Sequence, residues 1–154
     1  VAVDKHFVLP RLQRQIKNLE HDVQFILLLC TARFDDIKSN VPLLLPGVVL
    51  VSLVTGIAVR RIGVITPSPA QMETQRRKWR KVVPDVVVEA ASPYSNPVGL
   101  EDAAAGLARE GVDLVVMDCI GYTSVMKTIV RRATNKPVLT ASGVLGRVAS
   151  EMLE

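Results

Sequence analysis

The sequence is poor in the residue types that mark several large protein classes. It has two cysteines and two histidines in 154 residues, and aromatic residues make up 4% of the chain. Two cysteines are too few for a disulfide framework. His6 and His21 lack the spacing of metal ligands on one helix face, so we interpret them as surface residues. No glycine-rich phosphate loop follows a predicted strand, and we therefore expect neither a metal nor a cofactor.

Long apolar runs are also scarce. The longest covers residues 41–59 and is interrupted by Pro42, Pro46 and Gly47, so we interpret it as a buried connector and helix and predict no membrane span. The residues from Val1 to Asp4 show neither the basic start nor the apolar core of a secretory leader. With so few cysteines, the predicted setting is reducing and cytoplasmic.

Positive charge exceeds negative charge by four, and much of the excess lies between Arg76 and Lys81. A nucleic-acid interface would need further basic residues and stacking aromatics, and only Trp79 is available nearby. We therefore interpret this cluster as the solvated face of a helix and predict no nucleic-acid partner.

Apolar residues make up 49% of the chain, and strand patterns alternate with helical ones. This alternation predicts an α/β fold with parallel sheets and flanking helices. The predicted strands cover residues 23–29, 62–65, 86–90, 114–117 and 138–140, with a short apolar piece at 41–45. The predicted helices cover residues 3–22, 48–57, 69–79, 100–109, 123–133 and 143–153.

Three of these helices carry specific expectations. The first is amphipathic, with Pro10 near its first turn. The helix at 48–57 is apolar nearly all round, which predicts burial between two lobes or between the subunits of a homo-oligomer. In the helix at 123–133, Val125, Ile129 and Val130 are expected to face inward.

Cys30 and Cys119 each close a predicted apolar strand, at the end where parallel sheets bind ligands. A single cysteine in that place is most often a core residue, although it could also be a disulfide half, a nucleophile or an acid/base. Two in equivalent places favour function. Backbone donors or a helix N-terminus can lower a thiol pKa toward neutrality. Two such thiols on opposite faces of a carbon could remove and return a proton, which is racemisation without a cofactor.

Residues with hydroxyl or exposed backbone N–H groups follow the same strand ends. Each alone is a common cap or turn residue, but their shared location predicts donors for a carboxylate and for the anion formed from it. The predicted substrate-binding residues are Thr31, Thr66, Ser68, Ser92, Tyr94, Gly121, Tyr122 and Thr123.

Three stretches carry a resemblance to a known family: Cys30-Thr-Ala, Arg61-Ile-Gly-Val-Ile-Thr-Pro67 and Asp118-Cys-Ile-Gly-Tyr122. Together with the helix ending in Lys78-Trp79, they resemble the AroM family of the aspartate/glutamate/hydantoin racemase superfamily. The resemblance implies two similar α/β lobes with a cleft between them and one thiol from each lobe. It assigns residues 1–57, with 138–154 packing back, to a first lobe that is incomplete at its N-terminus, and residues 58–137 to the second.

The resemblance also limits the substrate. Glutamate racemases follow their second cysteine with Thr-His, whereas this chain has Ile120 and Gly121, in the style of hydantoin racemases. The acid partner that His would provide is absent, so glutamate is disfavoured. The expected function is a racemase, isomerase or decarboxylase for a small carboxylate. The alternative is a non-catalytic protein that binds a small ligand or regulates through the same cleft.

Overall fold

The computed structural model describes residues 5–34, 36–95 and 98–154. The helices are α1 (Lys5–Leu19), α2 (Pro46–Thr55), α3 (Met72–Trp79), α4 (Val98–Arg109), α5 (Ser124–Thr134) and α6 (Ala141–Glu151). A 3₁₀ turn at Pro69–Gln71 precedes α3. The strands are β1 (Ile26–Leu27), β2 (Leu43–Leu44), β3 (Arg61–Thr66), β4 (Asp85–Ala90), β5 (Leu114–Met117) and β6 (Val138–Thr140). Residues 3 and 4 of the first predicted helix lie outside the described residues.

The larger sheet has four parallel strands in the order β4-β3-β5-β6. Strands β3 and β5 are its centre, and all four residues of β5 are buried. Unbroken apolar strands of this kind are typical of a parallel sheet that is covered by helices on both faces. The predicted α/β class and parallel pairing are confirmed.

The two faces of this sheet pack against different helices. Along β5, Val115 and Met117 join a core with residues of α4 and α5. Leu114 and Val116 point the other way and join a core with residues of α2, α3 and α6. The alternation follows from the two-residue period of a strand. The carboxyl ends of the four strands therefore lie together at one edge between two helical layers.

A second sheet contains only β1 and β2, which are parallel and pair through two residues each. The prediction of a strand over residues 23–29 is too long. Within the described residues, β2 is the one strand paired with β1, so the flanking positions have no second partner to hold them. Accordingly, Val23 is 38% exposed and Leu29 is 66% exposed.

Three helix predictions need correction. Pro10 lies inside α1, at its sixth residue, rather than in the first turn. Helix α2 buries Leu50 and Val54, but Val48 is 55% exposed, because one face of the helix packs on the larger sheet and α6 while the other is open. In α5, Val125 is 69% exposed because α5 packs on α4 and β6 through the face that carries Ile129 and Val130.

The predicted division into two lobes at residue 57 stays a prediction. Strand β6 pairs with β5 in the larger sheet. Helix α6, which follows it, contacts α2 of the N-terminal segment. In the part of the chain that the structure describes, no helix is both long enough and apolar enough to cross a membrane.

Candidate two-cysteine site

Both cysteines follow the carboxyl end of a parallel strand. Cys119 lies two residues after β5, and Cys30 lies three residues after β1. Both are free thiols, and both are partly exposed. Since ligands of parallel α/β sheets bind just beyond these strand ends, the two thiols lie where a small molecule can reach them.

The two segments that carry the cysteines contact each other. The hydroxyl of Thr31 donates a hydrogen bond of 3.2 Å to the backbone carbonyl of Asp118, so the neighbours of the two cysteines are joined directly. Gly47, in the first turn of α2, closes the same junction. A Cβ at position 47 would lie 2.5 Å from the carbonyl oxygen of Thr31, which means that only glycine fits without displacing the Cys30 segment.

The environment of Cys119 favours the neutral thiol. Burial raises the pKa of Cys119 above its usual range, and the negative charges of Asp118 and Cys30 raise it further. The backbone N–H of Gly121 donates to the Cys119 sulfur at 3.5 Å and acts in the opposite direction. Backbone donors do lower the pKa of Cys119, as expected from the sequence, but burial outweighs them and the pKa is raised overall.

Asp118, directly before Cys119, is the anchor of this strand end. Its side chain is fully buried, and Oδ2 accepts hydrogen bonds from Lys78 Nζ at 2.7 Å and from Trp79 Nε1 at 2.8 Å. Its other oxygen, Oδ1, has no hydrogen-bond partner among the described residues. The Lys78 ammonium lies 5.0 Å from the Trp79 ring centroid, which adds a cation–π contact. Removing one partner of a buried pair of this kind costs about 3–5 kcal/mol.

Lys78 and Asp118 were not predicted from the sequence to be members of the site. Lys78 belongs to the basic cluster of residues 76–81, for which the sequence predicts a solvated helix face. That interpretation holds for Arg77, Arg80 and Lys81, which are exposed. Lys78 instead turns inward, and its side chain is 27% exposed. One signal was available: an aspartate that directly follows a buried strand requires a cation or several donors, and Lys78-Trp79 at the end of α3 supplies both.

The predicted substrate-binding hydroxyls at the ends of β3 and β4 are engaged in local structure. Thr66 is buried, and its Oγ1 lies 3.2 Å from Gln71 Oε1. Ser68 accepts from the backbone N–H of Ala70 and caps the 3₁₀ turn. Ser92 accepts from the backbone N–H of Tyr94 at 3.2 Å. As substrate-binding residues they stay predictions.

The residues after Cys119 differ among themselves. Tyr122 is buried and donates a 2.6 Å hydrogen bond to the backbone carbonyl of Ala91. Burial raises the pKa of Tyr122 above its usual range. Thr123 caps α5 by accepting from a backbone N–H. Tyr94 is 81% exposed, yet its hydroxyl lies against Gly121, where a Cβ would be 2.8 Å from it. Tyr94 therefore contacts the Cys119 loop at Gly121 from a second loop.

A groove of about 630 Å³ lies nearby, between α2 and the start of α6. Ser124, Ser142, Lys127 and Arg147 give it a polar, basic side, while α2 gives it an apolar wall that includes Leu53. Neither cysteine lines it. Among the described residues, no group of three His, Cys, Asp or Glu side chains is placed to hold a metal ion.

Comparison with known proteins identifies the family. The family model described as AroM protein matches residues 1–153. The chain belongs to the AroM family. No curated protein matches the AroM-family chain by sequence.

Solved structures similar to this AroM-family chain include racemases and an isomerase. Allantoin racemase from Klebsiella pneumoniae superposes with a TM-score of 0.65 at 13% identity, over 92% of this chain and 64% of that one. Aspartate racemase from Picrophilus torridus gives 0.62 at 15% identity, over 91% and 69%. The maleate isomerase Iso from Pseudomonas putida S16 gives 0.63 at 17% identity, over 86% and 66%. The chain shares their fold and spans about two thirds of their length.

Proposed function

We propose that this protein is a racemase or isomerase of a small carboxylate, in which Cys30 and Cys119 exchange protons with the substrate carbon and no cofactor takes part. The observation that supports the proposal most is the junction of the two cysteine segments, where Thr31 donates to the carbonyl of the residue before Cys119. The racemase fold shared with the allantoin and aspartate enzymes is consistent with it.

The chemistry requires one thiolate and one thiol. The thiolate forms an S–H bond to the α-proton while the C–H bond breaks. The electron pair of the broken C–H bond moves into the adjacent carboxyl group to give an enediolate. The second thiol then breaks its S–H bond and forms a new C–H bond on the opposite face of the carbon. The product is the mirror-image substrate, and the two sulfurs have exchanged protonation states.

Repulsion between two negatively charged sulfurs favours the state with one thiolate and one thiol. Burial keeps Cys119 protonated, and a negative charge on Cys30 raises the pKa of Cys119 further. Burial and nearby negative charge both disfavour ionisation of Cys119, so Cys119 is suited to be the thiol that donates a proton.

The alternative is a binding protein that has the cleft without the reaction. The raised pKa of Cys119 favours this alternative, because a protonated, partly buried thiol is a weak base and a weak nucleophile. A substrate that displaces water or brings a donor to the sulfur would be needed to activate it.

Proton exchange in heavy water tests the proposal. L-aspartate is the first compound to try, since it is a small carboxylate with one stereocentre and an aspartate racemase is among the structural neighbours. We expect deuterium at the α-carbon, or loss of optical rotation, with at least one small carboxylate of a wider panel. We expect Cys119→Ser and Cys30→Ser each to lower the rate by at least about 100-fold, since loss of a positioned acid or base costs 10²–10⁴-fold.

Lys81→Met is the matched control, because Lys81 is exposed and its removal leaves the site unchanged. If no compound exchanges, or if the cysteine variants exchange as fast as wild type, the catalytic proposal is refuted. Binding of a dicarboxylate without exchange would support the alternative. A cytoplasmic location, the absence of a nucleic-acid partner and a homo-oligomer stay predictions.

A further inference from the structure

Lys78 occupies the junction of the two cysteine segments. Its ammonium is 2.7 Å from Asp118, which precedes Cys119. On its other side it faces the start of α2, where a Cβ at Gly47 would be 3.7 Å from Nζ and 2.5 Å from the Thr31 carbonyl oxygen. One cation thus contacts the Cys119 side of the junction and lies beside the helix turn that packs on the Cys30 side.

Asp118 needs this cation. Its carboxylate is fully buried, and Lys78 is the cation that forms a salt bridge with it among the described residues. Trp79 provides a donor but no charge, and Oδ1 has no partner in the described part of the chain. Without Lys78, a full negative charge would lie one residue from Cys119 at low dielectric, where charge interactions are strong.

We propose that Lys78 is a positioning residue of the two-thiol site: its ammonium neutralises the Asp118 carboxylate, so that Cys119 can form a thiolate during proton transfer. The catalytic purpose of this role rests on the proposed function, but the effect of Lys78 on the ionisation of Cys119 can be measured without a substrate. Among the described residues, the charged and titratable groups around Cys119 are Asp118 and Tyr122 on its own segment, Cys30 across the junction and Tyr94 on the neighbouring loop. The positive charge of Lys78 favours the Cys119 thiolate in its own right and also offsets the negative charge of Asp118 beside it.

The test measures the pKa of Cys119 from the pH dependence of its alkylation by iodoacetamide. All variants are made in a Cys30→Ser background, so that one thiol is observed. We expect the following order of Cys119 pKa values: Asp118→Asn lowest, the double variant Lys78→Met/Asp118→Asn and the parent in the middle, and Lys78→Met highest. The Cys119 pKa should differ by about 1 or more between successive levels of this order. At a pH below the pKa, a shift of this size changes the alkylation rate about fourfold, because a lower pKa gives more thiolate but makes that thiolate less nucleophilic.

This order separates charge from structure. A purely structural role for the salt bridge would open the site in Lys78→Met and Asp118→Asn alike and would accelerate alkylation in both. Lys81→Met removes the same charge from an exposed position and should match the parent. Lys78→Met leaves a buried carboxylate unpaired and could fail to fold. The Asp118→Asn and double variants remain the decisive pair, since neither contains that unpaired carboxylate.

The inference is overturned if Asp118→Asn and the double variant have the same Cys119 pKa, or if Lys78→Met and Asp118→Asn shift it in the same direction. Its outcome is independent of turnover. If the expected order is found but no substrate exchanges deuterium, the proposed function fails and the role of Lys78 in controlling the thiol stands. If exchange is found without the order, the function stands and the role of Lys78 fails.

Discussion

Replacing Gly47 with alanine tests the junction between α2 and the Cys30 segment. The new Cβ would lie 2.5 Å from the carbonyl oxygen of Thr31 and 3.4 Å from its carbonyl carbon. The oxygen belongs to the backbone, so no side-chain rotation can relieve the contact. Either the start of α2 or the Cys30 segment must move by a substantial part of an ångström.

The magnitude follows from two opposed effects. Overpacking typically costs about 1–3 kcal/mol. Alanine gains at most about 1 kcal/mol over glycine from helix propensity. We therefore expect Gly47→Ala to lower the free energy of unfolding by about 1–2 kcal/mol. Gly146→Ala is the matched control, because a Cβ at Gly146 of α6 meets no atom within 4 Å and should stabilise the protein.

Urea unfolding measures both variants, with the fluorescence of the single tryptophan, Trp79, as the signal. Trp79 is fully buried in the native state, so unfolding exposes it. Displacement of the Cys30 segment should also increase alkylation of Cys119 in Gly47→Ala. The reasoning would be refuted if Gly47→Ala were as stable as Gly146→Ala and its thiols reacted at the wild-type rate.

Two further predictions concern stability. Trp79→Phe removes the indole donor to the Asp118 carboxylate and should lower the free energy of unfolding by about 1.5–3 kcal/mol, measured by thermal unfolding with circular dichroism; an unchanged melting temperature would contradict the role of this hydrogen bond. Backbone N–H donors, from Asn40 to Glu20 and from Arg61 to Asp113, hold the pKa values of these two carboxyls below their usual range. A carboxyl whose pKa is lower in the native state than in the unfolded state stabilises the protein at pH values above its unfolded-state pKa. This stabilisation is lost as the pH falls through the native-state pKa. The melting temperature should therefore drop as the pH falls below about 5, and Glu20→Gln should reduce this drop. A melting temperature equally sensitive to acid in Glu20→Gln would refute the assignment for Glu20.

The larger sheet was predictable because its strands are recognisable from their apolar sequence pattern alone. The run from Leu114 to Met117 is apolar at every position, and such runs are buried on both faces wherever the sheet is parallel. The N-terminal segment gave a weaker signal. Its apolar run at residues 23–29 has the composition of a strand, but strand length depends on the partners available, and β1 pairs with β2 over two residues.

The two cysteines were predictable as strand-end residues, but their environment was not. A thiol pKa depends on burial and on neighbours that are distant in sequence, and Asp118, Cys30 and Gly121 act on Cys119 in opposite directions. Lys78 was hidden for a related reason. In sequence it is one of several adjacent basic residues, and only the fold shows which of them meets the buried carboxylate.

The hydrogen bond between Thr31 and Asp118 joins residues 87 positions apart. The larger sheet, by contrast, is built from consecutive strand–helix units whose contacts are closer in sequence. Because distant contacts carry a greater loop-closure cost, we expect the sheet of β3 to β6 to form first and the Cys30 segment to dock onto it late in folding. Protection of Cys119 from alkylation would then be a kinetic marker of the final folding step, and the two-thiol site would be the last part of the protein to form.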